Sequence, residues 1–225
     1  GQHVTEDDVH AALADAHGGP VEEGNVGGGT GMKAYGFKAG IGTASRVVAE
    51  EHGAFTVGAL VQANHGRRER LMIDGVPVGR EISREEVPGP DRDTAEGGSI
   101  IVILATDAPL LPHQCRRLAQ RATIGVARTG GGGEHDSGDI FLAFATGNRG
   151  LRAEDHADAV TRPVTMLDDD HITALFWAAI EATEEAIVNA LLAAETMTGN
   201  RVTFHALPAD RLLEVMRRYG RGPAD

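Results

Sequence analysis

The chain enters its core at Gly97-Gly98-Ser99-Ile100-Ile101-Val102-Ile103-Leu104-Ala105-Thr106. The run that begins at Ile100 is almost continuously apolar and rich in β-branched residues, which is typical of a strand covered on both faces. The preceding residues, 80–96, are charged, contain prolines and have almost nothing to bury. They predict an exposed linker that leads directly into a buried strand.

The rest of the chain predicts strands and helices on either side of this strand. Strands are expected at 55–62, just before Asn64-His65-Gly66, at 139–146 and at 202–206, with a short hairpin around Asp74-Gly75. Helices are expected at 5–16 with Thr5 as N-cap, at 112–127, at 173–196 and from Pro208 onward. Buried strands with helices on both sides predict an α/β fold, a layered sandwich.

The composition indicates a soluble globular protein and argues against two kinds of partner. The 225 residues include 21 Lys+Arg and 33 Asp+Glu, which gives a net charge of −12, and 41% of them are hydrophobic. This acidic balance disfavours nucleic acid, whose phosphates require cations, and no apolar run approaches the roughly 18 residues of a membrane-spanning helix. The single cysteine, Cys115, excludes an internal disulfide, and the start of the chain has no leader pattern. We therefore expect no nucleic-acid partner, no membrane span and a cytoplasmic location.

The search for a cofactor or metal site gives a negative expectation. Glycines cluster in residues 24–42, but Phe37 occupies the lysine position of a phosphate-binding loop, and Ser45 occupies the third small position of a dinucleotide fingerprint. The ten histidines show no metal-binding spacing, and Glu134-His135-Asp136 lies in a glycine-rich turn where adjacent side chains diverge. We expect no cofactor and no metal. The glycine-rich segment either lets backbone pack closely or lines an active site.

Gly98-Ser99 has the layout of an enzyme that cleaves its own chain before a serine. The chain contains no GxSxG motif, and this serine stands at the start of a strand instead of at its end. Cleavage would give Ser99 a hydroxyl nucleophile and an α-amino group, whose ordinary pKa of about 7.7 to 8.0 suits a general base. Glycine at 98 permits the strained backbone that such an attack favours. Gly-Gly-Ser is also an ordinary flexible joint, so the residues alone leave both interpretations open.

Five blocks of sequence resemble the self-processing aminopeptidases of the DmpA type. This family is also known as the L-aminopeptidase/D-esterases and includes the β-peptidyl aminopeptidases. The blocks are EGNVGGGTGM at 23–32, GFKAGIGTASR at 36–46, VQANHG at 61–66, GSIIV at 98–102 and DSGDIF at 136–141. They occur in order along most of the chain.

The resemblance implies a role for each of several residues. Gly98–Ser99 would be the self-cleavage bond and Ser99 the catalytic nucleophile. Asn64 would donate its side-chain amide to the oxyanion. Ser137 would hydrogen-bond the terminal amine of Ser99, and Asp139 would orient that amine or the ammonium group of the substrate. An alternative for Asp139 is an ordinary turn residue before a strand.

The resemblance also implies an architecture and a division of the chain. Members of the family fold as a four-layer α/β/β/α sandwich that resembles N-terminal-nucleophile hydrolases with different connectivity. Residues 1–225 would form a single aminopeptidase domain, in which 1–98 is the end of the α chain and 99–225 is the β chain after cleavage. Members are considerably longer than this chain, and Gly1 in place of Met favours a fragment that lacks an N-terminal segment.

The implied substrates are short peptides, amides or esters that carry a free amine, and a homo-oligomer is expected. The preference for L, D or β residues stays open. Two other functions also stay open at this point. One is an acyltransferase of the ornithine acetyltransferase kind, although those relatives use threonine as the nucleophile. The other is a binding module that keeps the fold without catalysis.

Overall fold

The computed structural model describes residues 3–89, 98–151, 160–199 and 201–222. The helices in these ranges are α1 Glu6–Ala14, α2 Val78–Glu81, α3 Pro112–Arg128, α4 Ile172–Leu192 and α5 Ala209–Arg218. The strands are β1 Lys33–Ala34, β2 Phe37–Lys38, β3 Ile41–Val47, β4 Thr56–Asn64, β5 Ser99–Thr106, β6 Ile140–Ala145, β7 Met197–Gly199 and β8 Val202–Phe204. The α/β class is confirmed. The main correction to element bounds is that α4 ends at Leu192, because the chain then forms the hairpin of β7 and β8.

Four strands form one mixed sheet in the order β3-β4-β5-β6. The first two pairings are antiparallel, whereas β5 and β6 are parallel and are connected through α3. In the β4–β5 pair, Val57 lies opposite Thr106 at one end and Asn64 lies opposite Ser99 at the other. This register brings the end of one predicted strand to the start of another.

The core lies between this sheet and the two long helices, α3 and α4. Alternate residues of β4 and β5 point into it, and Val61 and Val102 are fully buried there. On the helix side, Leu175 and Leu191 of α4 are also fully buried, and each such side chain contributes about 1.5–3 kcal/mol to folding. A Cβ on Gly42 of β3 would overlap the carbonyl oxygen of Ala186, so glycine is required for the close approach of α4 to the sheet.

The opposite face of the sheet is partly open in the described residues. Four apolar side chains of the edge strands are strongly exposed there: Val47 at 69%, Ile140 at 57%, Leu142 at 54% and Phe144 at 47%. The expectation of a strand covered on both faces is therefore wrong for β6, whereas no residue of β5 is exposed. A continuous apolar run shows that a strand avoids water, but it does not show which element covers each face.

The predicted exposed linker is packed in its first part. Ile82 is fully buried and Val87 is 8% exposed. The buried guanidinium of Arg68 donates hydrogen bonds to the backbone carbonyls of Ile82, Ser83 and Val87, as well as to Tyr35 and Gly36. Residues 90–96 of the predicted linker and Gly97 lie outside the described residues, as do residues 152–159 of the later polar loop.

Two smaller features can be compared with the sequence. The hairpin at Asp74-Gly75 is confirmed, since Ile73 pairs with Val76 and both turn residues have positive φ. Thr5 is the N-cap of α1, but the apolar stripe of that helix is exposed, with Leu13 at 71%. None of the helices in the described ranges has the length and apolar character needed to span a membrane.

Candidate active site

Ser99 begins β5 and lies directly opposite Asn64, the last residue of β4. The backbone N–H of Gly138 donates a hydrogen bond of 2.8 Å to Ser99 Oγ. A donor on this oxygen stabilises the negative charge that appears when the hydroxyl loses its proton. The position of Ser99 follows from the sheet, because the antiparallel register fixes the start of β5 against the end of β4.

Ser137 and Asp139 lie on the other side of the Gly98–Ser99 bond, in the loop that leads into β6. Ser137 Oγ is 2.8 Å from the carbonyl oxygen of Gly98 and 2.6 Å from Asp139 Oδ1. Asp139 Oδ1 also accepts the backbone N–H of Ile100 at 3.1 Å. A hydroxyl has one proton, so at any moment Ser137 donates either to Gly98 or to Asp139. The structure thus brings all four sequence-predicted residues to one bond.

The backbone at Gly98 accepts glycine alone. Its φ is +146°, and a Cβ at this position would overlap the carbonyl oxygen of Asn64. The same Cβ position lies 3.1 Å from Asn64 Nδ2, so the side-chain amide of Asn64 borders Gly98. The other end of that amide, Oδ1, accepts the backbone N–H of Lys33 at 3.4 Å. This long contact favours the orientation in which Nδ2 is turned toward Gly98.

A buried hydrogen-bond network begins at His65, the residue after Asn64. His65, 7% exposed, has its Nε2 3.2 Å from the hydroxyl of Tyr35, which lies 2.8 Å from Thr129 Oγ1. Thr129 in turn donates to the carbonyl of Val126 at 2.9 Å. The proton of Tyr35 therefore points to Thr129, and His65 must carry its own proton on Nε2 to complete the chain. This network could not be predicted from the sequence, because a lone histidine beside an asparagine has no diagnostic spacing.

Burial controls the ionisation of the His65 and Tyr35 side chains. It lowers the pKa of His65 to about 4, against a smaller upward effect of the Asp139 and Glu134 carboxylates, and it raises the pKa of Tyr35 well above its ordinary value. The Nδ1 atom of His65 is buried and has no hydrogen-bond partner among the described residues. A neutral imidazole is therefore the form that belongs to the folded protein.

Acid should destabilise the protein through His65. The pKa of His65 is about 6.5 in the unfolded protein and about 4 in the folded protein. Between these values the unfolded state binds more protons, so the free energy of unfolding decreases as the pH is lowered. The full effect is on the order of 3 kcal/mol. Urea unfolding at pH 7 and pH 4 should show that wild type loses this much more stability than the His65→Phe variant, which cannot titrate there. Equal losses in both proteins would contradict the assignment.

The other candidates from the sequence, the Glu134-His135-Asp136 cluster and Cys115, form neither a metal site nor a reactive thiol in the described residues. Among the described residues, no three or more His, Cys, Asp or Glu side chains are grouped as a metal site. Glu134 forms an ion pair of 2.5 Å with Arg70. Cys115 is half-buried on α3, and burial raises the pKa of its thiol, which disfavours reactivity.

Comparisons with known proteins identify the family and the fold of the chain. The family model described as peptidase family S58 matches residues 1–204. The chain is 45% identical over 232 residues to the beta-peptidyl aminopeptidase BapA of Sphingosinicella microcystinivorans, and the match covers 98% of this chain and 58% of that protein.

Two solved structures are similar over almost the whole chain. The beta-aminopeptidase of a Burkholderia species has a TM-score of 0.89 and 56% identity, covering 99% of this chain and 61% of its own. The L-aminopeptidase D-Ala-esterase/amidase of Ochrobactrum anthropi, described as a variant of the Ntn hydrolase fold, has a TM-score of 0.85 and 48% identity, covering 98% of this chain and 59% of its own.

These matches establish the fold class of the protein and its family. Its sheet and helices are those of an α/β protein with the Ntn-hydrolase type of fold. Within that class, the chain belongs to peptidase family S58. It spans about three-fifths of the length of the relatives that it matches. The acyltransferase and binding-module alternatives gain no support, since the named relatives are aminopeptidases.

Proposed function

We propose that the protein is a self-processing aminopeptidase whose nucleophile is Ser99. One observation carries the proposal: the Gly98–Ser99 bond lies between the Asn64 amide on one side and Ser137 with Asp139 on the other. Membership of a peptidase family supports it. The division of the chain into 1–98 and 99–225 follows from the same bond.

The first reaction is cleavage of the chain itself. Ser99 Oγ attacks the carbonyl carbon of Gly98, and negative charge develops on the carbonyl oxygen. Ser137, 2.8 Å from that oxygen, and the amide of Asn64 stabilise the charge. The C–N bond then breaks, the nitrogen of Ser99 takes up the hydroxyl proton, and an ester joins Gly98 to Ser99 Oγ. Breaking the C–N bond leaves Ser99 with a free amine, and water then hydrolyses the ester to a carboxylate at Gly98 and the regenerated hydroxyl of Ser99.

The second reaction reuses the same groups on an external substrate. The new amine of Ser99 has an ordinary pKa of about 7.7 to 8.0, so near neutral pH it can accept the proton of the attacking hydroxyl. Once the carbonyl of Gly98 has gone, Ser137 donates to Asp139, and its lone pairs are free to accept the N–H of this amine. Ser99 Oγ attacks the first carbonyl of the substrate, the scissile bond breaks, and the leaving amine or alcohol takes the proton from the Ser99 amine. Water then hydrolyses the acyl-enzyme and restores the Ser99 hydroxyl.

The proposed substrates are peptides, amides or esters with a free amine. Glu134 lines the small cavity beside Gly98 together with Arg67, and it is paired with Arg70. The carboxylate of Asp139 contacts the start of β5 and gives the reacting bond a negative field. A protonated amine suits that field. The names of the relatives point to aminopeptidase activity, whereas the preference for L, D or β residues, the homo-oligomer and the cytoplasmic location stay predictions.

The free amine can be tested with paired substrates. An amino-acid p-nitroanilide and its N-acetylated form differ in that group, and we expect acetylation to lower kcat/KM by about 10- to 150-fold, the range for one charge-assisted hydrogen bond. Release of nitroaniline from both compounds is the measurement, with the Ser99→Ala variant as blank. Equal rates for the two compounds would contradict an aminopeptidase.

A further inference from the structure

Lys38 is a buried cation that the proposed mechanism does not use. It is one of only two lysines among the 21 basic residues of the chain, and it is 2% exposed. Its ammonium donates to three backbone carbonyls: Gly29 at 3.1 Å, Met32 at 2.9 Å and Ala39. No carboxylate of the described residues forms an ion pair with it.

This burial is unfavourable for the charged form. Loss of hydration lowers the pKa of Lys38 to about 8. An apolar side chain of similar length would fill the same space without losing the hydration of an ammonium group. The three carbonyl contacts therefore indicate a role that an apolar side chain cannot perform. One of these carbonyls, that of Met32, belongs to a peptide group that also contacts Asn64.

The carbonyl of Met32 and the N–H of Lys33 belong to the same peptide group. On one side of this group, Lys38 Nζ bonds the oxygen at 2.9 Å. On the other side, the N–H donates to Asn64 Oδ1 at 3.4 Å. A cation on the oxygen withdraws electron density from the peptide, and the N–H becomes a better donor. A continuous path therefore runs from Lys38 through one peptide group to the amide beside Gly98.

We propose that Lys38 is a positioning residue for Asn64, holding and polarising the Met32–Lys33 peptide group that turns the Asn64 amide toward the oxyanion. The inference rests on the proposed function, in which Asn64 is the oxyanion donor. It assigns the glycine-rich segment, which includes Gly29 and Met32, to the support of the active site.

A purely structural role is the alternative, because Lys38 also ties down Gly29 and Ala39. Thr30 provides a matched control in the same loop. Its hydroxyl contacts the carbonyls of Gly27 at 2.8 Å and Asn25 at 3.2 Å, neither of which belongs to a peptide group that contacts Asn64. The Thr30→Val variant removes loop contacts and keeps the path intact.

A double-mutant cycle separates the two roles. The kcat and KM of the processed enzyme are measured for wild type, Lys38→Met, Asn64→Ala, the double variant and Thr30→Val on one amino-acid p-nitroanilide. We expect Lys38→Met to lower kcat about tenfold with KM within about twofold, and Thr30→Val to change kcat less than about twofold. In the Asn64→Ala background, Lys38→Met should change kcat by less than about twofold.

Two outcomes would overturn the inference, and they are distinguishable. If Lys38→Met lowers kcat by the same factor with and without Asn64, the lysine is structural and the proposed function stands. If Asn64→Ala keeps full kcat, Asn64 is not the oxyanion donor, and that part of the proposed function fails as well. If Lys38→Met does not fold, Lys38→Gln takes its place, because its side-chain amide keeps N–H donors for two carbonyls. The same four-variant cycle is then measured with Lys38→Gln.

Discussion

Replacing Ser99 with alanine should abolish both self-cleavage and turnover. The variant lacks the only atom that forms the acyl bond in the proposed mechanism, while the hydrogen bonds of Asn64, Ser137 and Asp139 to the surrounding backbone remain. Loss of the nucleophile in a serine hydrolase lowers kcat by about 10⁶-fold, so the expected activity is background. Intact mass and p-nitroanilide hydrolysis measure the two effects on one sample.

A second serine tests whether the effect is specific. Ser45 lies on β3, paired with Gly58, far along the sheet from β5's first residue. Ser45→Ala should keep both processing and turnover. Residual turnover by Ser99→Ala above the level of an uncatalysed blank would mean that another group carries the chemistry.

Replacing Asn64 with alanine should lower kcat by about 10² to 10³, with little change in KM. One oxyanion donor contributes about 3 to 4 kcal/mol to stabilising the transition state, and the amide of Asn64 borders Gly98 in the intact chain. Asn64→Asp should be impaired at least as strongly, since a carboxylate of the same shape repels the developing charge. Steady-state kinetics on the processed fraction provide the measurement.

Asn189 is the matched control for a lost asparagine. Its Nδ2 donates to the carbonyl of Thr43 at 2.8 Å, which ties α4 to β3 away from the Gly98–Ser99 bond. Asn189→Ala should reduce stability and keep kcat. If Asn64→Ala and Asn189→Ala reduce kcat equally, the effect of Asn64 is one of packing, and the oxyanion assignment is wrong.

The sequence located the proposed site because its residues stand at the ends of predictable elements. The apolar run after Ser99 predicted β5, and the strand before Asn64 predicted β4. Once those two strands pair antiparallel, the end of one must meet the start of the other. Periodicity did not reveal that one face of the sheet is partly open in the described residues, because apolar character does not identify the covering element.

The supporting groups could not be predicted in the same way. Lys38 and Arg68 are buried cations whose partners are backbone carbonyls, and every residue type supplies the same carbonyl. His65 is bonded to Tyr35 thirty positions away, so no local spacing marks it. Such groups depend on tertiary contacts, and the packed first part of the linker was missed for the same reason, since Arg68 holds it.

The central claim is tested most directly by the intact mass of the purified, full-length protein under denaturing conditions, followed by the N-terminal sequence of each piece. The account predicts two pieces, one of which begins with Ser99. A single uncut chain that hydrolyses amino-acid p-nitroanilides would contradict it, because catalysis would then proceed without a free amine on Ser99.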